Sequence, residues 1–232
     1  MRSWLTPPGT AAAALVGGAV LVGTGLRGLA LLFIFFVSAS LLTRGGGRRA
    51  PVQVFANGGV AALAAILSLL DSDWLPAFSG ALAAAAADTW STEIGSRSTS
   101  APRLITTGRT VPPGTSGGVT WLGSAGGLAG AALLGASAVA LGLATPAGGA
   151  WIAAAGLGGG LADSVLGAGL QARYLCPACG SVGESRRCGC GGSAVPHSGL
   201  AWLNNDAVNL ACTVTGAVMA SVPAVLERIA AP

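Results

Sequence analysis

The stretch Ala81–Glu93, ALAAAAADTWSTE, decides the fold of this chain because it joins an apolar run to two carboxylates. Asp88 ends the alanine run, and Glu93 follows five residues later. An aspartate at the centre of a membrane helix costs about 2.5–3.5 kcal/mol on insertion scales. Such a group is retained where it faces a polar cavity or a bound cation. The stretch therefore predicts a membrane helix that carries a functional site.

The composition also indicates a membrane protein. The 232 residues are 52% hydrophobic and 9% charged, with a mean hydropathy of +0.70, whereas soluble domains carry about 25% charged residues. The net charge of +4 comes from arginine alone, because the chain has no lysine. We do not expect a chain this apolar to bind nucleic acid. We predict an all-α polytopic transmembrane helical bundle of six to seven spans, forming a single membrane domain over residues 1–232.

The arginines predict the orientation of the spans. Ten of the twelve arginines fall on one side of the predicted topology, and only Arg27 and Arg228 fall on the other. The positive-inside rule makes the arginine-rich side cytoplasmic and places the N-terminus there. The expected location is the bacterial cytoplasmic membrane, with the first apolar run kept as a helix rather than removed as a signal peptide. The predicted spans are roughly Thr10–Leu26, Leu29–Leu42, Val52–Leu70, Trp74–Ile94, Gly118–Ala144, Gly148–Gln171 and Leu200–Val222. The alternative for the first two segments is a re-entrant or tilted pair.

This topology gathers amide and carboxylate side chains in one leaflet, whereas the other half of the bundle is mostly Ala, Leu, Gly and Val. Four helices supply them, which predicts one cytoplasm-facing site. A weak internal repeat agrees, because a Gly–Gly–Val string precedes an acid-bearing returning helix in two successive helical hairpins. Chance similarity in a chain with 38 glycines is the alternative explanation of the repeat. The gathered residues are Asn57, Asp88, Glu93, Asp163, Asn204, Asn205, Asp206 and Asn209.

Asp88, Asp163 and Asp206 suit a Mg²⁺ site, because Mg²⁺ prefers carboxylate and water oxygens and often bridges protein to phosphate. Glu93 and Asp88 each also have a structural alternative. Glu93 and Arg97 have the spacing of an ion pair within a helix, and Asp88 or the asparagines would alternatively bond neighbouring helices.

The segment 102–118 predicts a phosphate-binding loop, because hydroxyls, glycines and arginines alternate in it before a helix begins. Without a lysine it is not a Walker A loop. Loops of this composition also simply turn the chain. The candidate phosphate ligands around this loop are Arg97, Arg103, Thr107, Arg109 and Ser116.

Four cysteines indicate a second site. Cys176, Cys179, Cys188 and Cys190 follow the spacing C-x2-C-x8-C-x-C in residues 172–200, a predicted cytoplasmic insertion between the last two spans. Thiols stay reduced in the cytosol, so this cluster predicts a structural Zn²⁺ with His197 as a spare ligand. Cys212 lies in the last span and is expected to pack.

Several linked motifs resemble one family of integral membrane proteins, the family that holds the plant phytyl-phosphate kinase and the animal transmembrane protein nineteen. The resemblance covers residues 52–210 and implies transfer of phosphate from a nucleoside triphosphate to an isoprenoid monophosphate. The motifs are Ala56–Gly59, Ala87–Trp90 with Glu93–Gly95, Pro102–Thr107, Val111–Gly118, Gly160–Ser164 with Leu166–Ala168, and Trp202–Asn209.

The leading hypothesis is therefore a membrane-embedded prenyl-phosphate kinase. Asp88, Asp163 and Asp206 would hold Mg²⁺, with Glu93 beside them. The arginine-containing loop would hold the phosphates of a nucleoside triphosphate, and the asparagines would orient a lipid phosphate whose tail lies in the membrane lipid. Two alternatives stay open, a transporter or ion pathway and a lipid-phosphate nucleotidyltransferase. The oligomeric state is not predicted.

Overall fold

The computed structural model describes residues 4–43 and 48–230, which form a bundle of seven helical segments. The first helix, α1, is broken at Gly25, whose positive φ of 65° interrupts the helical backbone. Proline in the first turn begins α1, α2, α3 and α5, where a missing N–H costs nothing. The helices are α1 (Pro7–Leu42), α2 (Pro51–Leu67), α3 (Leu75–Gly95), α4 (Trp121–Ala140), α5 (Pro146–Gly169) and α6 (Asn205–Ala230).

The break at Gly25 turns α1 back on itself. The backbones of Thr6 and Arg49 are hydrogen-bonded at one end of the bundle, and Ser68 bonds the Gly23 carbonyl at 3.2 Å at the other end. The half 7–24 therefore runs parallel to α2. The half 26–42 runs antiparallel to it, because Arg97 at the end of α3 donates to the Leu42 carbonyl. The first two predicted spans correspond to these halves.

Helix α3 occupies the centre of the bundle and packs against the other helices. Every residue from Ala77 to Ala87 is buried. The alanine run explains this position, because small side chains let several helices approach one axis. At the α3–α6 crossing, a β-carbon on Gly216 would lie 2.5 Å from that of Ala84. The central position of α3 places Asp88 in the interior.

The directions of the helices place most of the arginines at one end of the bundle. Helices α2, α4 and α6 begin at one end of the bundle, where α3 and α5 end; we call this end the arginine-rich face. At the opposite end, Arg228 pairs with Asp71 and Asp73 at 2.5 and 2.7 Å. The described arginines at the arginine-rich face are Arg48, Arg49, Arg97, Arg103, Arg109, Arg173, Arg186 and Arg187.

Two small sheets lie at the arginine-rich face. Strands β1 (Arg103–Leu104) and β2 (Gly118–Val119) pair antiparallel and close the segment between α3 and α4. Strands β3 (Arg173–Leu175), β4 (Val182–Gly183) and β5 (Val195–Ser198) form a sheet of order β4-β3-β5. The predicted Cys-rich insertion thus folds as a small β-lobe, and we call residues 172–200 the Cys lobe.

The predicted helical membrane bundle is confirmed. In the described residues, α1, α4, α5 and α6 are long and apolar enough to cross a membrane, and α2 is a shorter apolar helix. The last helix starts five residues after the approximate start that the sequence predicted, Leu200. Helix α6 begins at Asn205, because the Asn204 side chain accepts a hydrogen bond from Ala207 N at 3.0 Å and caps the helix.

Candidate active site

Asp88 and Asp163 meet in the interior, at the arginine-rich half of the bundle. Asp88 lies two turns before the end of α3, and Asp163 lies in the last third of α5. Both carboxyl groups line the same cavity and are close enough to interact with each other. Asp163 Oδ1 is buried and has no hydrogen-bond partner among the residues that the structure describes. Two adjacent carboxylates with a free buried oxygen form a site for a cation or a shared proton.

This pair lies in a cavity of about 580 Å³ at the arginine-rich face. Its walls come from α3, α5, the first turns of α2, α4 and α6, the 113–120 segment and the Cys lobe. Pockets of about 300–1,000 Å³ typically bind small molecules. The polar lining includes Arg48, Arg49, Gln53, Asp88, Ser91, Thr92, Glu93, Ser116, Asp163, Ser164, Gln171, Glu184, Asn205 and Asn209.

Arg48 and Arg49 supply positive charge to the cavity. Arg49 donates to the Ser40 hydroxyl at 2.7 Å, and its guanidinium lies 5.6 Å from the centre of the Phe36 ring. Burial lowers the pKa of Arg49, and the carboxylate of Glu93 opposes this effect. An arginine keeps its charge under such conditions. Arg49 is therefore a fixed cation at the cavity edge, and Glu93 is within its electrostatic reach.

The glycine-rich segment before α4 packs directly on α5. Gly117 has a φ of 74°, and a β-carbon there would lie 2.5 Å from the Ser164 carbonyl and from Ala168. Arg173 secures the same contact, because it donates to the carbonyls of Ser116 and Gly167 at 3.1 and 3.0 Å. This close approach holds the loop over the acid pair.

The structure brings together six of the site residues predicted from the sequence. Asp88, Glu93, Ser116, Asp163, Asn205 and Asn209 all line the cavity.

The remaining predicted residues lie outside the cavity lining. Asp206 follows Asn205 on α6 but does not line the cavity, so the three predicted aspartate ligands do not form one set there. Arg103 bonds the Gly108 carbonyl at 3.0 Å, so it turns its own loop, and Arg97 bonds Leu42. Asn204 is a helix cap. Asn57 on α2 also lies outside the lining. Thr107 and Arg109, in the exposed segment between β1 and β2, do not line the cavity either.

Sequence reasoning missed five charged or amide residues of the cavity: Arg48, Arg49, Gln53, Gln171 and Glu184. In the sequence, Arg48 and Arg49 were used only to predict the orientation of the spans. Gln53 lies in the first turn of α2, where its Oε1 accepts a hydrogen bond from Ala50 N at 2.9 Å. Gln171 is buried with an unpartnered Nε2, and Glu184 belongs to the Cys lobe and bonds the Ser116 hydroxyl. Gln171 lies at the end of a predicted span, which was a local signal in the sequence. No local pattern joins Glu184 to Asp163.

The Cys lobe brings its four thiols together. The sulfur atoms of Cys176, Cys179, Cys188 and Cys190 all lie within 4.8 Å of one another. The Ser181 hydroxyl and the Cys190 backbone N–H stabilise the thiolate and lower the pKa of Cys188 to about 6. His197 lies on β5 and is not a member of the cluster found among the described residues. Cys212 is buried between α6 and α3, with its sulfur 3.6 Å from the Ala84 carbonyl.

The fold and this cavity define a helical integral membrane protein with an acidic site buried near one face. Residues 1–217 match the model of the family described as Integral membrane protein DUF92, and the chain belongs to this family. The family resemblance predicted from the motifs is confirmed.

Two relatives show the extent of the similarity. Protein PGR of Arabidopsis thaliana is 33% identical over 129 residues, which cover 43% of this chain and 45% of the plant protein. An uncharacterized membrane protein of Methanocaldococcus jannaschii is 34% identical over 128 residues, which cover 50% of this chain and 54% of the archaeal protein. The chain thus spans about half the length of these curated relatives. No solved structure matches the chain significantly.

Proposed function

We propose that this protein is a membrane-embedded kinase that transfers the terminal phosphate of a nucleoside triphosphate to an isoprenoid monophosphate. One observation carries the proposal. The Asp88–Asp163 pair, with its free buried oxygen, lies in a polar cavity that also contains two arginines. Family membership supports it, because the motifs resemble those of the family that includes the plant phytyl-phosphate kinase.

The donor set in the cavity fits Mg²⁺. Asp88 and Asp163 would hold the ion, since both offer carboxylate oxygens and Asp163 Oδ1 has no other partner. Bound Mg²⁺ would neutralise negative charge on the transferring phosphoryl group. Asp206, which lies outside the lining, is no longer in the proposed ligand set.

Donors on the other walls suit phosphate oxygens. Arg48 and Arg49 can bind phosphate in a bidentate manner, and Gln171 offers an unpartnered amide N–H. The first turns of α2, α4 and α6 also line the cavity, and helix N-termini attract anions. These groups would position the donor triphosphate and the acceptor phosphate beside the acid pair.

The proposed reaction needs no additional general base, because the acceptor is already an anion. An oxygen of the isoprenoid phosphate forms a bond to the terminal phosphorus as the bridging P–O bond breaks. The nucleoside diphosphate leaves with the electrons of that bond. In such a reaction the protein contributes mainly positioning and charge stabilisation. Asn205 and Asn209, which line the cavity, would orient the acceptor phosphate.

Exposed apolar side chains beside the site support a lipid substrate. Leu161 and Val165 flank Asp163 on α5 and are 57% and 48% exposed. Leu210 and Val214 follow Asn209 on α6 and are 44% and 43% exposed. An isoprenoid tail would lie along these residues in the bilayer while its phosphate enters the cavity.

A transporter or ion pathway is less well supported. A transporter needs a polar route to the opposite face, but α3 is closely packed from Ala77 to Ala87, and Ser79 is its one polar residue there. A lipid-phosphate nucleotidyltransferase would use the same cavity. It differs in its product, because it releases pyrophosphate rather than a nucleoside diphosphate.

The test uses purified full-length protein in nanodiscs, prenyl monophosphates of several lengths, Mg²⁺ and γ-labelled ATP, CTP or UTP. We expect labelled prenyl diphosphate from the wild type and from Glu227→Gln, an exposed control at the opposite face. We expect none from Asp163→Asn. Folded wild-type protein that forms no diphosphate across the panel would refute the proposal. Release of labelled pyrophosphate would establish the nucleotidyltransferase instead.

A further inference from the structure

We propose that the four cysteines bind one Zn²⁺ and that this ion holds Glu184 of the Cys lobe in the acidic cavity, as a positioning residue for the Mg²⁺ site. The second half of this inference rests on the proposed function. The first half depends only on the cysteines.

The sulfur positions match tetrahedral zinc. Cys176 Sγ lies 3.6 Å from Cys190 Sγ, and Cys179 Sγ lies 3.5 Å from Cys188 Sγ. Zinc–sulfur bonds of about 2.3 Å place tetrahedral sulfurs about 3.8 Å apart. Disulfide sulfurs are about 2.05 Å apart, much closer than these pairs. The cluster therefore fits four thiolates around one ion.

The backbone around the cysteines has the form of two tight turns. Gly180 N bonds the Cys176 carbonyl at 2.8 Å, and Gly191 N bonds the Cys188 carbonyl at 2.9 Å. Both glycines have positive φ, 71° and 87°, which other residues rarely adopt. Each turn presents its cysteines toward the common centre. The C-x-C spacing is thus accommodated by a glycine directly after Cys190.

The Cys lobe has little else to stabilise it. Val182 and Val195, its strand valines, are 50% and 49% exposed, whereas Tyr174 and Cys176 are among its few buried residues. A segment this short rarely folds on apolar burial alone and needs a metal or a disulfide. Zinc would supply that stability, as in other small metal-bound modules.

Glu184 connects this lobe to the cavity. It directly follows β4 and lies between the two cysteine turns, so both turns restrain its backbone. Its carboxylate accepts a hydrogen bond from the Ser116 hydroxyl and lines the cavity. It is also close enough to act electrostatically on Asp88 and Asp163. A third carboxylate held there strengthens the attraction of the acid pair for a divalent cation.

Metal content tests the first half. Full-length protein purified without added metal is measured by plasma mass spectrometry and by thiol alkylation after denaturation. We expect one zinc per chain in the wild type and in Cys212→Ser, the matched control outside the cluster. We expect loss of zinc in Cys176→Ser and in Cys190→Ser. Iron in place of zinc, absence of metal, or alkylation-resistant disulfides would overturn the assignment.

The second half is tested by Mg²⁺ alone, without nucleotide or lipid, through the rise in melting temperature that Mg²⁺ causes. We expect Glu184→Gln to retain zinc, and we expect its melting temperature in the absence of Mg²⁺ to equal that of the wild type. Its apparent Mg²⁺ affinity should fall about 10–100-fold, as for other residues that support a metal site. Cys190→Ser should weaken Mg²⁺ binding similarly, and combining both changes should add little.

An unchanged Mg²⁺ affinity in Glu184→Gln would overturn the link to the cavity, and additive losses would overturn the dependence on zinc. Because this assay contains no substrate, these results are independent of kinase activity. A protein that binds Mg²⁺ through Glu184 but forms no prenyl diphosphate would leave the zinc inference intact and refute the proposed function.

Discussion

Replacement of Gly117 by alanine should disturb the site through the contact between its loop and α5. The added β-carbon would lie 2.5 Å from the Ser164 carbonyl and from the Ala168 backbone N and side chain. Real β-carbons do not approach other atoms so closely, so the loop or α5 must move. Gly108 is a matched control, because its φ of 69° is close to the 74° of Gly117 and its β-carbon would meet nothing within 4 Å.

The expected magnitude follows from two costs. A left-handed backbone costs a non-glycine residue about 1–2 kcal/mol, and this applies to both variants. Overpacking costs about 1–3 kcal/mol more, and this applies to Gly117→Ala alone. In a chain of this size, 1 kcal/mol shifts the melting temperature by about 2–4 °C. We therefore expect Gly117→Ala to melt several degrees below Gly108→Ala.

The site gives a second readout. Ser164 directly follows Asp163, and a displacement of 1 Å at a reacting group can reduce turnover about 100-fold. Both variants would be purified in the same detergent and compared by thermal unfolding and by prenyl diphosphate formation. Equal melting temperatures and equal rates for the two variants would show that the loop does not press on α5.

The remaining predictions concern the acid set and the helix packing. Asp163→Asn should abolish the stabilisation by Mg²⁺, whereas Asp206→Asn should change it less than twofold. A thermal-shift titration with Mg²⁺ measures both effects. Equal effects of the two changes would show that Asp206 is also a Mg²⁺ ligand. Gly80→Ala should lower the melting temperature, because its β-carbon would overlap Ala220 and the Gly216 carbonyl on α6, at a cost of about 1–3 kcal/mol. Gly18→Ala faces open space and should stabilise α1 by up to about 1 kcal/mol. A Gly80→Ala protein as stable as Gly18→Ala would contradict the close crossing of α3 and α6.

The sequence predicted the bundle and its polar end because both follow from local patterns. Hydropathy located the spans, and the arginine distribution separated the two faces. Asp88 and Asp163 were identified because an acid within an apolar run can be recognised from the sequence alone. The turn at Gly25 could also be predicted from the sequence, since it divides one long apolar run into two predicted spans.

Contacts between distant segments were not predictable in the same way. Asp206 looked equivalent to Asp163 in the sequence, but the helical rotation that brings Asn205 and Asn209 to the cavity takes Asp206 away from it. Arg103 and Arg109 looked like phosphate ligands, but the β1–β2 pairing holds them on an exposed hairpin. Glu184 is 68 residues from Ser116, so nothing local in the sequence predicts their hydrogen bond.

The enclosure of α3 has a consequence for how the protein is made. This helix has 21 residues, but it is not among the four described helices that are long and apolar enough to cross a membrane unaided. Alanine contributes little to insertion, and Asp88 and Glu93 oppose it. Neighbouring helices must therefore accompany α3 into the bilayer or receive it there. Asp88, which lines the cavity, therefore also makes α3 dependent on the rest of the chain during membrane insertion.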